Sequence, residues 1–236
     1  MIKVGKLAAI LQSPYYQARL LRHRVAAGVE HARVLSGLDC RTVVDIGANR
    51  GQFALVARQC QPHARVISFE PLPAAAAKFR AVFARDDRVT LHEVAIGPAS
   101  GDATLHVSRR DDSSSLFPIS ATQVSLFPGT AEAYTTKVRV APLREFVSAA
   151  DIQAPALLKL DVQGYELEAL RGCEDLLDRF AYVYAECSFV ELYAGQALAD
   201  EVTSWLRERG FKLHGEHNTV HDRGGRAIQA DFLFAR

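Results

Sequence analysis

The sequence has little of what would fix it outside a cell or in a membrane. Its four cysteines, Cys40, Cys60, Cys173 and Cys187, are scattered over 236 residues. They show no CxxC spacing and no regular framework, so they read as isolated thiols of a reducing compartment. No uninterrupted apolar run approaches the ~18 residues of a membrane span. The first 25 residues also lack a secretory core followed by a small-residue cleavage site. A cytoplasmic protein is the expectation. Excess charge of one sign is missing too: 28 Lys and Arg stand against 27 Asp and Glu, for a net charge of +1. The overall field therefore recommends no polyanion, and nucleic acid is not an expected partner.

What is present suffices for one globular core, with 49% hydrophobic and 23% charged residues. At this length a single domain with an N-terminal extension is expected. In that extension, residues 1–38, Lys3, Lys6, Arg19, Arg22, Arg24 and Arg33 face only Glu30 among the acids up to Arg33. Leu7, Ile10 and Leu11, then Leu20, Leu21, Val25 and Val29, recur at roughly helical spacing. Two readings stay open. The helices pack on the core or on a second copy of the chain, making a homo-oligomer, or they form a lid or a peripheral surface for anionic lipid or a lipid-linked substrate.

From residue 39 onward short β-rich runs alternate with helical patterns. "TVVDI", "ARVISFE", "VTLHEVAI", "ALLKLD" and "AYVYAECS" read as strands. "GQFALVARQC", "LPAAAAKFRAVFA", "GYELEALRGCEDLLDRF" and "ADEVTSWLRERG" read as helices, the last closed by Gly210. This is the pattern of parallel βαβ units, a sheet with helices on both faces. The closing pair "FKLHGEH" and "AIQADFLFAR", joined by "DRGGR", suggests that the last strand runs antiparallel. The stretch from about 97 to 146 breaks the rhythm and reads as a substrate-side insert between two strand-like segments.

The turn "DIGANRG" after the first strand lies where open α/β sheets hold a nucleoside cofactor. It lacks the GxGxxG of a dinucleotide site, and Asp45 would face a diphosphate unfavourably. It suits a cationic ligand such as S-adenosylmethionine. Asp45 would attract the cationic end, and backbone near Gly47 to Gly51 would take the carboxylate. Glu70, one βαβ unit downstream, would take the ribose hydroxyls, and Glu93, Val94 and Ala95 would lie over the adenine. "KLDVQGYE" places Asp161 at the cleft edge of a buried strand, aimed at the transferring group. The competing readings are a nicotinamide-dependent oxidoreductase and a cofactor-binding scaffold without catalysis.

These motifs, "VVDIGANRGQF", "ISFEP", "SSSL", "LLKLDVQGYELEALRG" and "VYAECSFVELY", resemble the FkbM family of S-adenosylmethionine-dependent methyltransferases. The resemblance implies a Rossmann-like class I fold with a seven-stranded, mostly parallel sheet. It also implies methyl transfer to a hydroxyl of a sugar, glycolipid, polyketide or related metabolite. Carried over by position, Asp45, Gly47, Asn49 and Gly51 would line the cofactor turn and Glu70 would hold the ribose. Ser114, Ser115 and Leu116 would reach in from the insert. Asp161 and Gly164 would lie under the methionine moiety and acceptor, with Glu186 at the next strand end. The chain departs from its relatives in having Gln163 where Glu is frequent, and Arg144 after Leu143 where Asp is common.

An alcohol acceptor loses its proton on methylation, and a base would assist. Asp161 and Glu186 are the leading catalytic candidates, ahead of His92 and of His214, His217 and His221. Gln163, Gly164, Phe189 and His214 are expected on the acceptor side, with Tyr193, Phe117 and Phe127 as further aromatic wall or cap. The late histidines lack helical i, i+4 register, so no metal is expected.

Overall fold

The computed structural model describes residues 4–236; Lys3 of the basic N-terminal stretch lies outside them. Three short helices, α1 (Val4–Leu11), α2 (Pro14–His23) and α3 (Ala32–Ser36), precede β1 (Thr42–Ile46). The chain continues through α4 (Gln52–Cys60), β2 (Arg65–Phe69), α5 (Pro73–Phe83), β3 (Val89–His92), β4 (Ala95–Ile96) and β5 (Gly101–Ser108). Then come α6 (Ala121–Leu126), β6 (Glu132–Ala141), β7 (Ala156–Leu160), α7 (Glu166–Gly172) and β8 (Tyr182–Ser188). It ends with α8 (Ala199–Glu208), β9 (Lys212–His221) and β10 (Ala227–Ala235).

Seven strands form one sheet in the order β3-β2-β1-β7-β8-β10-β9. Neighbours are parallel up to β8, whereas β10 pairs antiparallel with both β8 and β9. The last strand in sequence is thus the antiparallel one, inserted between β8 and the edge strand β9. In β1 and β7 every residue is buried. That follows from their mostly apolar sequences, as strands covered by helices on both faces require, with Asp45 and Lys159 as the buried charged exceptions. On one face Val44, Leu158 and Val183 pack with Leu170 and Leu206 of α7 and α8. On the other, Val43, Leu157 and Tyr184 pack with Phe53 and Leu55 of α4. Ile10, Val25 and Leu35 of the N-terminal segment join that second layer, while Leu11 and Leu21 remain 57% and 82% exposed. Among the described residues no helix is long and apolar enough to cross a membrane.

Two sequence expectations change, and that of an insert between two strands is met. "VTLHEVAI" divides into β3 and β4, and β4 leaves the main sheet to pair with β6. The helix from "GYELEALRG" stops at Gly172, and Glu174–Arg179 continues as a 3-10 turn. Gly172 lies against the chain at Gly97, where a Cβ would come within 2.5 Å of the Gly97 carbonyl oxygen, so the helix ends in a backbone contact. The insert is structured: β5 and β6 form an antiparallel pair that carries the polar segment between them, including α6, over the sheet's carboxyl edge. Because β1 adjoins both β2 and β7, the crevice of this sheet opens where the chain changes direction, beyond the carboxyl ends of those strands.

Candidate active site

The turn after β1 does not present its carboxylate to the crevice. Asp45 is fully buried and pairs in register with Lys159 of β7, whose Nζ lies 3.0 Å from Oδ1. Lys159 Nζ also donates to the Gly47 carbonyl at 3.1 Å and lies 4.0 Å from Asp161 Oδ2. Burial pushes the Asp45 carboxyl up, against the opposing pull of Lys159. Burial pulls Lys159 down, but Asp45 and Asp161 outweigh it and hold the ammonium above its ordinary value. Asp45 is thus the floor beneath the crevice, because the parallel register of β1 and β7 sets it against Lys159.

The turn's amides are also committed. Gly47 and Ala48 both donate to the Phe69 carbonyl at 3.0 Å, and Gly51 donates to Ala48. The Asn49 amide donates to Glu70 Oε2 and the Leu72 amide to Glu70 Oε1, each at 2.8 Å. Glu70 therefore ties the turn after β1 to the turn after β2 while its carboxylate still borders the crevice. Burial raises it to about 7, against the two amides that lower it. Both turn glycines have positive φ for reasons internal to the fold. A Cβ on Gly47 would come within 1.9 Å of the Asp161 carbonyl oxygen, and one on Gly51 within 2.6 Å of the Phe83 ring.

Beyond β7 the chain makes a compact polar loop. Gln163, at φ 56°, donates its amide to Asp161 Oδ1 at 2.7 Å and to Glu186 Oε2 at 2.8 Å. Its carbonyl accepts the Tyr193 hydroxyl at 2.7 Å, and Gln229 donates to the other oxygen of Glu186 at 2.6 Å. A glutamate at 163 would offer these carboxylates no donor, so the departure noted in the sequence is matched by its surroundings. Burial, and then the neighbouring Asp161 and Asp231, hold Glu186 well above the usual carboxylate range. Both of its oxygens are thus held by side-chain amides at the edge of the crevice.

Beneath this loop Glu166 Oε1 accepts the Val162 and Gly164 amides at 3.0 and 3.2 Å. Burial lifts its carboxyl from 4.5 to about 7. A folded pKa above the unfolded one means that the folded chain binds the extra proton between those values. Stability therefore falls as pH rises through that window. Glu166→Gln retains the accepting oxygen without the titration. It should flatten the decline between pH 5 and pH 8 by on the order of 1–3 kcal/mol. Urea midpoints at the two pH values read this directly, and an unchanged decline would remove Glu166 as its source.

The crevice encloses about 330 Å³, within the range of small-molecule sites. Gly47, Asn49, Glu70, Val94, Ala95, Asp161, Gln163 and Glu186 border it, as do Ser114 and Ser115 of the insert. The serine hydroxyls also hold their own loop, Ser114 accepting from the Ser108 amide and Ser115 from that of Phe117. Leu116 and Phe127 of the insert border it as well, whereas several other expected residues stand elsewhere. Glu93 is exposed and reaches Arg80 at 2.7 Å, because the break between β3 and β4 turns it outward. Gly51 faces α5. Gly164 packs beneath Tyr193, where a Cβ would come within 2.9 Å of that ring. Phe189 packs on Phe232 in the core, and His214 is exposed on β9.

Residues not assigned to the crevice from the sequence complete or brace its walls. Arg50 Nε donates to Asp111 Oδ2 at 2.8 Å and fastens the insert to the turn after β1. Lys6, Glu30 and His31 bring the N-terminal segment to the opposite rim. The sequence carried no signal for the first; for the second, the basic residues and helical spacing of residues 1–38 had left a lid as one of two readings.

Comparison with known proteins agrees with this architecture. The family described as the methyltransferase FkbM domain matches residues 45–213. The chain is 29% identical to the 2-O-methyltransferase NoeI of Sinorhizobium fredii, over 83% of this chain and 84% of that one. It is 30% identical to the 31-O-demethyl-FK506 methyltransferase FkbM of Streptomyces tacrolimicus, over 75% of each chain. A solved structure, TehB from Haemophilus influenzae, shares the fold at a TM-score of 0.50 and 8% identity, over 94% of this chain and 67% of that one. The chain belongs to the FkbM methyltransferase family.

Proposed function

We propose that this methyltransferase uses S-adenosylmethionine to methylate a hydroxyl of a sugar, glycolipid, polyketide or related metabolite. The observation that carries the donor is the charge of the crevice. Among the described residues three Lys or Arg cations border it, and each is already paired: Lys6 with Glu30 at 2.9 Å, Arg110 with Asp112 at 3.3 Å, and Lys159 with Asp45 at 3.0 Å. Glu70, Asp161 and Glu186 face the same space. Such a surface suits a ligand with an ammonium and a sulfonium and opposes the diphosphate of a nicotinamide dinucleotide. The acceptor class rests on the resemblance and on the two curated relatives, whose names specify 2-O-methylation and a methyl group at a 31-O position.

The residues present fit the donor. Glu70 offers its remaining lone pairs to ribose hydroxyls beside the apolar Phe69, Val94, Ala95 and Ile96, which suit the adenine. Gln52 and Phe53 border the crevice at the start of α4, where helix-end amides have no intrahelical partner and can receive a carboxylate. Asp161, rather than Asp45, is the carboxylate that meets the cationic end. When bound, the donor supplies an electrophilic methyl carbon. The protein's task is then to hold an acceptor oxygen in line with it.

Titration calorimetry with S-adenosylmethionine, S-adenosylhomocysteine and NADH tests this. Micromolar-range binding of the first two is expected. Glu70→Ala should weaken it by roughly 10- to 100-fold, through lost acceptors and two stranded amides. Binding of NADH alone, or of none of the three, would remove the assignment.

A further inference from the structure

His31 borders the crevice from the 3-10 turn Val29–His31, ahead of the segment that the family description covers. Its ring is held edge-on by Phe53 and Tyr184, at centroid distances of 5.3 and 5.7 Å. Nδ1 lies 3.1 Å from the Tyr184 hydroxyl oxygen and 3.4 Å from Asp231 Oδ2. The Tyr184 hydroxyl donates to that same Oδ2 at 3.0 Å, and the Asn218 amide donates to it at 2.7 Å. Asn218 reaches it through a bulge. Gln229 pairs with Val220 but Asp231 with His217, so β9 carries an extra residue there, and Asn218 takes φ 52°. Bulges of this kind re-aim side chains beside functional sites.

These contacts fix the tautomer. The Tyr184 proton is committed to Asp231, so the tyrosine oxygen is left as an acceptor, and Nδ1 carries the proton that it receives. The basic lone pair then sits on Nε2, on the opposite side of the ring, which has no hydrogen-bond partner among the described residues. A carboxylate behind Nδ1 with Nε2 left to the substrate is the arrangement by which an imidazole serves as a general base.

We propose that His31 Nε2 accepts the proton of the acceptor hydroxyl, with Asp231, Tyr184 and Asn218 as positioning residues. The inference rests on the methyltransferase reading above. As the acceptor oxygen bonds to the methyl carbon, the carbon–sulfur bond breaks and its electron pair stays on sulfur. The hydroxyl proton passes to Nε2 and from there to solvent. Asp161 is already engaged by the Gln163 amide and lies near Lys159, which suits it to an electrostatic role. The N-terminal segment thereby becomes part of the reaction centre.

The test uses the full chain as wild type, His31→Gln and Asp231→Asn, with three readouts. Nitrogen-detected NMR of the imidazoles, with His31 assigned by its loss in His31→Gln, should show an Nδ1–H tautomer that becomes mixed in Asp231→Asn. Calorimetry with S-adenosylhomocysteine should give the same affinity for His31→Gln as for wild type, within about twofold. Methyl transfer to a panel of p-nitrophenyl glycosides should show kcat lower by roughly 10²–10⁴-fold in His31→Gln, with KM little changed. An Nε2–H tautomer at His31 overturns the proposal, as does a kcat within about threefold of wild type. If no glycoside turns over, the tautomer decides alone. Wild-type protein that does not bind S-adenosylhomocysteine brings down the methyltransferase reading itself, an outcome distinct from a failure at His31.

Discussion

Lys159→Met should destabilise the protein by about 3–5 kcal/mol, the usual consequence of leaving a buried charge without its partner. In a domain of this size that corresponds to a fall in Tm of roughly 6–20 °C. The magnitude follows from where the pair sits. Asp45 is wholly enclosed and the Lys159 side chain is 5% exposed, so solvent cannot replace the lost ammonium. Neither oxygen of Asp45 has an aligned hydrogen-bond donor to fall back on. The double variant Asp45→Leu/Lys159→Met removes both charges and should recover most of the loss, since apolar replacement of a whole buried pair is often neutral or stabilising. Urea unfolding followed by the single tryptophan, Trp205, measures all three proteins. A single variant within 1 kcal/mol of wild type would show that Asp45 is not held as a carboxylate by Lys159.

The same pair shows where sequence reading reached and where it stopped. Short, mostly apolar runs marked β1 and β7 as buried strands, and "DIGANRG" and "KLDVQGYE" marked the two turns that meet at the crevice. Which side chain of each turn faces the ligand depends on register between strands more than 100 residues apart in sequence, and no local pattern encodes that register. Asp45 therefore read as a ligand contact, although Lys159 neutralises it, and Asp161 faces the crevice in its place. Glu93 read as part of the adenine wall because one continuous strand was expected where the chain breaks. His214 drew attention by standing among other histidines, yet it lies on the exposed edge strand. His31, one of two histidines in a basic helical extension, had no periodic or motif signal. Its partners come from β8, β9 and β10, and only the folded chain assembles them. Glu70 was legible as a carboxylate at a strand end; its second task, tying two turns by their amides, was not.

The two glycines of the opening turn should separate by phenotype, although a motif treats them alike. Both have φ in the left-handed region, 78° at Gly47 and 92° at Gly51, so alanine at either costs about 1–3 kcal/mol of backbone strain. What the new methyl group meets differs. At Gly47 it strikes the backbone carbonyl of Asp161 at 1.9 Å, an atom that cannot rotate away, so the ends of β1 and β7 must part. Asp161 and the loop bearing Gln163 move with that carbonyl. Displacement of reacting groups by about 1 Å costs on the order of 10²-fold in rate. Gly47→Ala should therefore lower kcat by roughly that factor and weaken S-adenosylhomocysteine binding in protein that remains folded. At Gly51 the methyl group meets the rings of Phe83 and Phe79, at 2.6 and 3.1 Å, on the α5 side and away from the crevice. Gly51→Ala should unfold at lower urea concentration than wild type, yet bind S-adenosylhomocysteine with nearly wild-type affinity below its transition. Calorimetry and urea titration on both variants decide the matter. Equal loss of affinity in the two would mean that the turn moves as one rigid unit, and that Gly47 has no separate role in setting β1 against β7.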